Sequence, residues 1–304
     1  MNFISKKCGS LLILVFSVLI YSCKSSDEEV PHHLESRLMQ IQTESTLMPV
    51  QVLEFSEDGR PISETNRTFI YDANRHLIES TEDTGRFILS TYYSYSNDKL
   101  IRYDTPAIGS SDAVIRVNGE ITYEDLIITR TAIVDGEIQY LQKYTFLSDD
   151  YRHIARIEGI PGANTSLIIN LFDYEYDADF NLVTVKEFEI NPITSDPELK
   201  YTYTIEYDEM KNPFFQFMGQ NPIVYGLMSF SFDTSTLSVG TAIDPMVRRN
   251  GQHNITKVTR TNTVSGSTFL WNFDYVYNVD GYPIEKKRID ENGDFGYTSI
   301  YSYY

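Results

Sequence analysis

Cysteine is almost missing from this chain: its 304 residues hold two, Cys8 and Cys23. The body beyond them has no thiol, which excludes a disulfide framework, a cysteine metal site and a cysteine nucleophile there. Basic residues are scarce as well. Lys and Arg total 25 against 43 Asp and Glu, a formal net charge of −18 with a pI near 4.6. Such an acid excess repels polyphosphate, so a nucleic-acid partner is not expected. Long apolar runs are lacking too. Leu11 to Ile20 is ten residues broken by Ser17, whereas about 20 are needed to cross a bilayer core. No G-x-S-x-G, H-E-x-x-H, Walker or G-x-G-x-x-G motif is present, which leaves hydrolase, zinc-protease and nucleotide readings without local support.

The first residues read as an export leader, with Lys6 and Lys7 ahead of the short apolar run. Ile20-Tyr21-Ser22-Cys23 comes next, followed by the polar Lys24-Ser25-Ser26-Asp27-Glu28-Glu29. This resembles a bacterial lipoprotein signal, in which a small residue precedes a cysteine that becomes the acylated N-terminus. Ser22 and Cys23 match, Ile20 stands in for the usual Leu, and Tyr21 departs from the usual small residue. The resemblance implies lipid attachment at Cys23 and a membrane partner reached through acyl chains, palmitate among them. Ser26-Asp27-Glu28-Glu29 is similar to the acidic surface-export signal of Bacteroidota lipoproteins, which implies the outer membrane and an outward-facing body. Loss of Lys6 and Lys7 with the leader leaves 23 basic against 43 acidic residues, net −20. Such a surface is repelled by anionic headgroups, so the lipid must supply the anchorage.

What the chain has in abundance is tyrosine: 23, beside 17 Phe and a single Trp, in a sequence that is 41% hydrophobic. That content closes a core and favours strands. A short pattern recurs, an aromatic strand end, a turn of Asp, Asn or Gly, then a second alternating run. It is seen at 53–62, 69–78, 93–100, 174–183, 205–214 and 275–284, most clearly as Tyr174-Glu175-Tyr176-Asp177-Ala178-Asp179-Phe180-Asn181-Leu182-Val183. Each copy predicts a β-hairpin with a tight polar turn. Alternation is strict in the strands. Phe269, Trp271, Phe273, Tyr275 and Tyr277 fall on one face, as do Tyr201, Tyr203, Ile205 and Tyr207, and Phe295, Tyr297, Tyr301 and Tyr303. Helical period is confined to Asn221–Phe230.

These hairpins resemble the YD-type repeats of bacterial surface proteins, and the layout as a whole is similar to Bacteroidota lipoproteins to which no activity is attached. The Gly-Arg that follows Asp in long arrays is missing from most copies, so a large repeat-built shell is not implied. The expected fold is all-β: an antiparallel meander of Tyr-rich hairpins, closed as a wrapped sheet or barrel. The expected organisation is a signal peptide at 1–22, an acidic tether at 23–34 and a single domain at 35–304, with an irregular insertion at about 214–250. That insertion is rich in apolar residues, Gly and Pro, and reads as a plug over an open end of the sheet, with a lid or recognition loop as the alternative.

Candidate chemistry is sparse. His76 and His153 follow turns at corresponding positions, which points to a structural role and not to a metal site. Asp177-Ala178-Asp179-Phe180-Asn181 begins like a calcium loop, but Leu182 and Phe188 stand where Gly and Glu are required, so it reads as a turn. Asp290-Glu291-Asn292-Gly293-Asp294 reads as an Asn-Gly hairpin turn. No catalytic residue, cofactor or metal ligand is assigned. The aromatic face around Trp271 is expected to be core, since alternation through many strands is what a Tyr-rich interior produces. The leading expectation is a non-catalytic binding or scaffold lipoprotein with a glycan or protein ligand. The alternatives are a carbohydrate-active enzyme using paired carboxylates and a structural envelope protein.

Overall fold

The computed structural model describes residues 37–45, 50–108, 114–161, 170–191, 193–218, 251–289 and 295–304, all within the compact unit Ser36–Tyr304. Its strands run β1 Leu38–Glu44, β2 Gln51–Phe55, β3 Pro61–Glu64, β4 Arg67–Tyr71, β5 Leu77–Asp83 and β6 Ile88–Ser96. They continue as β7 Lys99–Ile108, β8 Val114–Glu124, β9 Ile127–Val134, β10 Glu137–Phe146, β11 Ile154–Pro161 and β12 Asn170–Tyr176. The last are β13 Leu182–Ile190, β14 Pro197–Lys211, β15 His253–Asn262, β16 Thr268–Tyr277, β17 Pro283–Ile289 and β18 Phe295–Tyr303. Among the described residues one short helix, α1 Pro213–Met218, follows β14.

Each strand pairs antiparallel with its neighbours in sequence, and β1 also pairs with β18, Ile41 opposite Tyr301. The sheet is therefore a closed up-and-down barrel of 18 strands, as the hairpin pattern anticipates. Closure leaves no open edge. The expected alternation sets which face goes inside. Trp271 and Phe273 are 7% and 4% exposed, and Tyr203 and Ile205 are 1% and 4%. Residues directly opposite across an antiparallel pair share a face, so Tyr203, Arg260 and Phe269 line up on one side of β14, β15 and β16. Buried apolar residues from nearly all the strands belong to one cluster. A buried face within a closed ring is its inner face, and the hydrophobic gain of filling it holds the ring together.

One end of the barrel carries a repeated latch. Tyr71 at the end of β4 donates its hydroxyl to the Pro61 carbonyl at the start of β3, 2.8 Å away. Tyr95, Tyr123, Tyr176, Tyr207, Tyr275 and Tyr303 do the same, one strand back, to Leu77, Leu100, Ile154, Leu182, Ile255 and Pro283, at 2.7–3.0 Å. Tyr151, in the turn after β10, reaches the Asp125 carbonyl at 3.1 Å. Each such bond contributes about 0.5–1.5 kcal/mol. Several accepting residues also plug this end: Leu77, Leu100, Ile154 and Leu182 are at most 3% exposed.

The turns between latched strands repeat as well. Asp72, Asp177 and Asn278 each accept, through a side-chain oxygen, the N–H of the residue four positions on, and Ser56 does the same for Arg60. The fourth position of each turn has positive φ: Gly59, Arg75, Phe180 and Gly281. The Asp177 segment is thus a turn closed by its own carboxylate. On the inner face, Gly119 lies directly under the Tyr103 ring, where an added Cβ would fall 1.8 Å from the nearest ring carbon, so that crossing needs glycine.

Candidate functional site

From the latch end inward, the lining changes from apolar to basic and aromatic. In-register positions of the inner face, among the described residues, hold Arg67, Arg130, Arg260, Lys286 and Arg288 together with Glu64, Glu82 and Glu187 and, at the far rim, Glu137, Glu189 and Glu198. Arg67 takes two of the acids. It lies 3.6 Å from Glu64 and 2.7 Å from Glu82. Its side chain is 23% exposed and that of Glu82 is 33%, so water reaches this depth.

Arg130 is held by phenols instead. Its Nε donates to the Tyr103 hydroxyl at 3.0 Å, and the guanidinium carbon sits 5.2 Å from that ring centroid. Burial works against its charge, and Tyr103 and Tyr144 more than offset this, so its pKa is raised above the ordinary value. Tyr144 donates its own proton to Gln142 Oε1 at 2.5 Å.

Arg260 lies across the sheet from Tyr203 on one side and Phe269 on the other. Its guanidinium carbon is 3.6 Å from the Tyr201 centroid and 5.8 Å from that of Tyr203, within the range of a favourable cation–π contact. Its Nε is buried with no hydrogen-bond acceptor. Glu187, one of the acids of this sector, accepts the Tyr203 hydroxyl at 2.7 Å, and burial together with that carboxylate pushes the Tyr203 pKa well above the phenol range. Phe269 is 51% exposed although it shares the inner face with buried Trp271. Solvent thus reaches the far end at Phe269, directly across the sheet from Arg260.

The outer face has the opposite chemistry. Arg156 pairs with Asp173 at 2.6 Å and Lys257 with Glu206 at 2.6 Å, while Lys186 pairs with Glu175. Exposed apolar residues are interspersed with these charges. Ile70 lies opposite Glu79, and Val276 opposite Glu285.

The residues singled out from sequence are placed as follows. Trp271 is core. His76 and His153 do occupy corresponding positions: each gives its carbonyl to close a turn, to Asp72 N and Leu147 N. His76 stacks on Tyr95 between Asp72 and Asp98, and His153 stacks on Phe180. Cys23, the tether, most of the 214–250 insertion and the Asp290–Asp294 turn lie outside the described residues. The neck of the insertion is described. Asn212 Nδ2 donates to the Gly251 carbonyl at 2.7 Å, and Asp208 accepts from Asn254 N at 3.1 Å and from the Tyr277 hydroxyl. Sequence reasoning missed Arg130 and Arg260. The available signal was a base in phase with a buried run, as in Ile128-Thr129-Arg130 and Val258-Thr259-Arg260.

No protein-family model and no curated protein matches the chain. Among solved structures, the chain is similar to a porin-like protein from Bacteroides vulgatus, with 11% identity and a TM-score of 0.41 over 88% of this chain and 99% of that one. A porin-like protein from Bacteroides uniformis gives 12% identity and a TM-score of 0.36 over 88% and 96%. A TcdB2-TccC3-Cdc42 structure gives 15% identity and a TM-score of 0.28 over 79% of this chain and 14% of that one. Identities this low leave the function to be read from the chain's own residues.

Proposed function

We propose that this chain is an outer-membrane lipoprotein, tethered through Cys23 and facing outward, whose barrel stands in water as a non-catalytic binding or scaffold module. The observation that supports it is the division of chemistry between the two faces. A membrane-spanning barrel is apolar outside and polar within. This one has ion pairs such as Lys257–Glu206 outside and a Leu, Ile, Tyr and Phe cluster inside. Placing a single Lys or Arg of the outer face at a bilayer midplane costs about 2–4 kcal/mol. A barrel of this kind needs a separate anchor, and an acylated cysteine supplies one.

The test is Cys23→Ala. The variant is expected to lose lipid labelling and to leave the membrane fraction, while the wild-type protein in intact cells is cleaved by added protease. Retention of Cys23→Ala in carbonate-washed membranes would mean that the barrel itself inserts, and the reading would fall.

A further inference from the structure

We propose that the solvent-reached sector of the barrel around Phe269 holds an anion-binding subsite at Arg260, and that its ligand is an acidic sugar, carrying sulfate, phosphate or carboxylate groups on a ring that stacks beside Tyr201 and Phe269. This deepens the binding reading above and rests on it. Arg260 is partly buried, its Nε wholly so, and folded proteins ordinarily answer a guanidinium withdrawn from water with a carboxylate. Here Glu64 and Glu82 are committed to Arg67, and Glu187 is engaged by the Tyr203 hydroxyl. Arg260 is met instead by the face of Tyr201 at 3.6 Å, with its Nε buried and lacking an acceptor.

A guanidinium holds its five N–H donors in one plane, the fork that matches an oxyanion. The neighbours suit a sugar. Tyr201 faces Asn262, an amide donor and acceptor on the strand of Arg260, and Phe269 is half exposed directly across from the cation. An aromatic face, an amide and a cation within three adjacent strands form the polar and apolar mixture a small-ligand site requires.

The site has a built-in reporter. Trp271 is the only tryptophan, and it lies opposite Val258 on the same inner face, two residues from both Arg260 and Phe269 along their strands. The experiment titrates the detergent-solubilised full-length protein with sucrose octasulfate, with sucrose as the neutral control, following Trp271 emission and heat. Saturable binding of the sulfated sugar that weakens with salt is expected, with no response to sucrose. Arg260→Met should weaken it by about tenfold or more, Arg260→Lys should recover part of the loss, and Lys257→Met, on the outer face of the same strand, should match wild type. Thermal midpoints of all variants verify folding. No binding of sucrose octasulfate, or equal binding by Arg260→Met, overturns the anion site. Binding of neutral glycans alone, unaffected by Arg260→Met, overturns it too while leaving the binding-module reading standing. Membrane insertion of the Cys23→Ala protein removes that reading separately.

Discussion

At the scale of single residues, tyrosine does two jobs that phenylalanine cannot combine: its ring fills the interior and its hydroxyl ties neighbouring strands. Three of the latching phenols, Tyr123, Tyr207 and Tyr303, resist ionisation in the fold. Burial, with Tyr151 nearby, pushes Tyr123 up to about 12, and burial raises Tyr207 and Tyr303 further still. In the unfolded chain a phenol ionises near about 10. Below that pH both states are neutral and the full stability is present. Above it the unfolded chain releases protons that the fold retains, so stability falls as pH rises from about 10 through about 12 and beyond. Urea midpoints measured across this range should decline steadily, and a flat profile would contradict the latch. Tyr-rich alternation made the interior legible in the sequence, but the hydroxyl partners were not, because they are carbonyls on a neighbouring strand 10–26 residues earlier.

At the scale of elements, the repeating unit is a latched strand end plus a five-residue turn. Asp177 closes its turn by accepting from Asp179 N at 2.9 Å and Asn181 N at 2.8 Å, and from the Asn181 amide at 3.0 Å. Asp179 is exposed. Asp177→Ala should therefore cost about 1–2 kcal/mol, whereas Asp179→Ala should change stability by less than about 0.5 kcal/mol. Chemical denaturation of the two variants checks the contrast, and equal effects would refute the account of the turn. These turns could be read in the sequence since Asp, Asn and Gly stand where the backbone needs a side-chain acceptor or a positive φ. The turn after β8 also sets an Asp, Asp125, at positive φ, but it spans only Asp125-Leu126 and departs from the five-residue pattern, so it went unrecognised. The basic inner positions were equally hidden, because an arginine in phase with an apolar run looks like an interruption until the opposite strands are known.

At the scale of the whole molecule, the pairing of β1 with β18 is what alternation could not supply, since a period of two fixes the face of a strand but not its partner. The two ends of the described barrel meet there: Tyr304 N donates to the Arg37 carbonyl at 3.0 Å. A permuted barrel, with 304 joined to 37 by a short Gly-Ser linker and opened at the exposed Asp135-Gly136 turn, should give a strand-dominated circular dichroism spectrum and cooperative unfolding. Failure of the permutant to fold would mean that closure depends on more than proximity. The same seam has a consequence during synthesis and export. The bond between Thr43 and Ser299 spans 256 residues of chain, so the first strand must wait for the last before its outer neighbour exists. Until β18 emerges, every intermediate is an open sheet with two unprotected borders and a half-filled interior, prone to pairing with other chains. The barrel thus becomes self-protecting only at its final residues, and a chaperone that shields β1 across that interval would govern its yield more than any single interior contact.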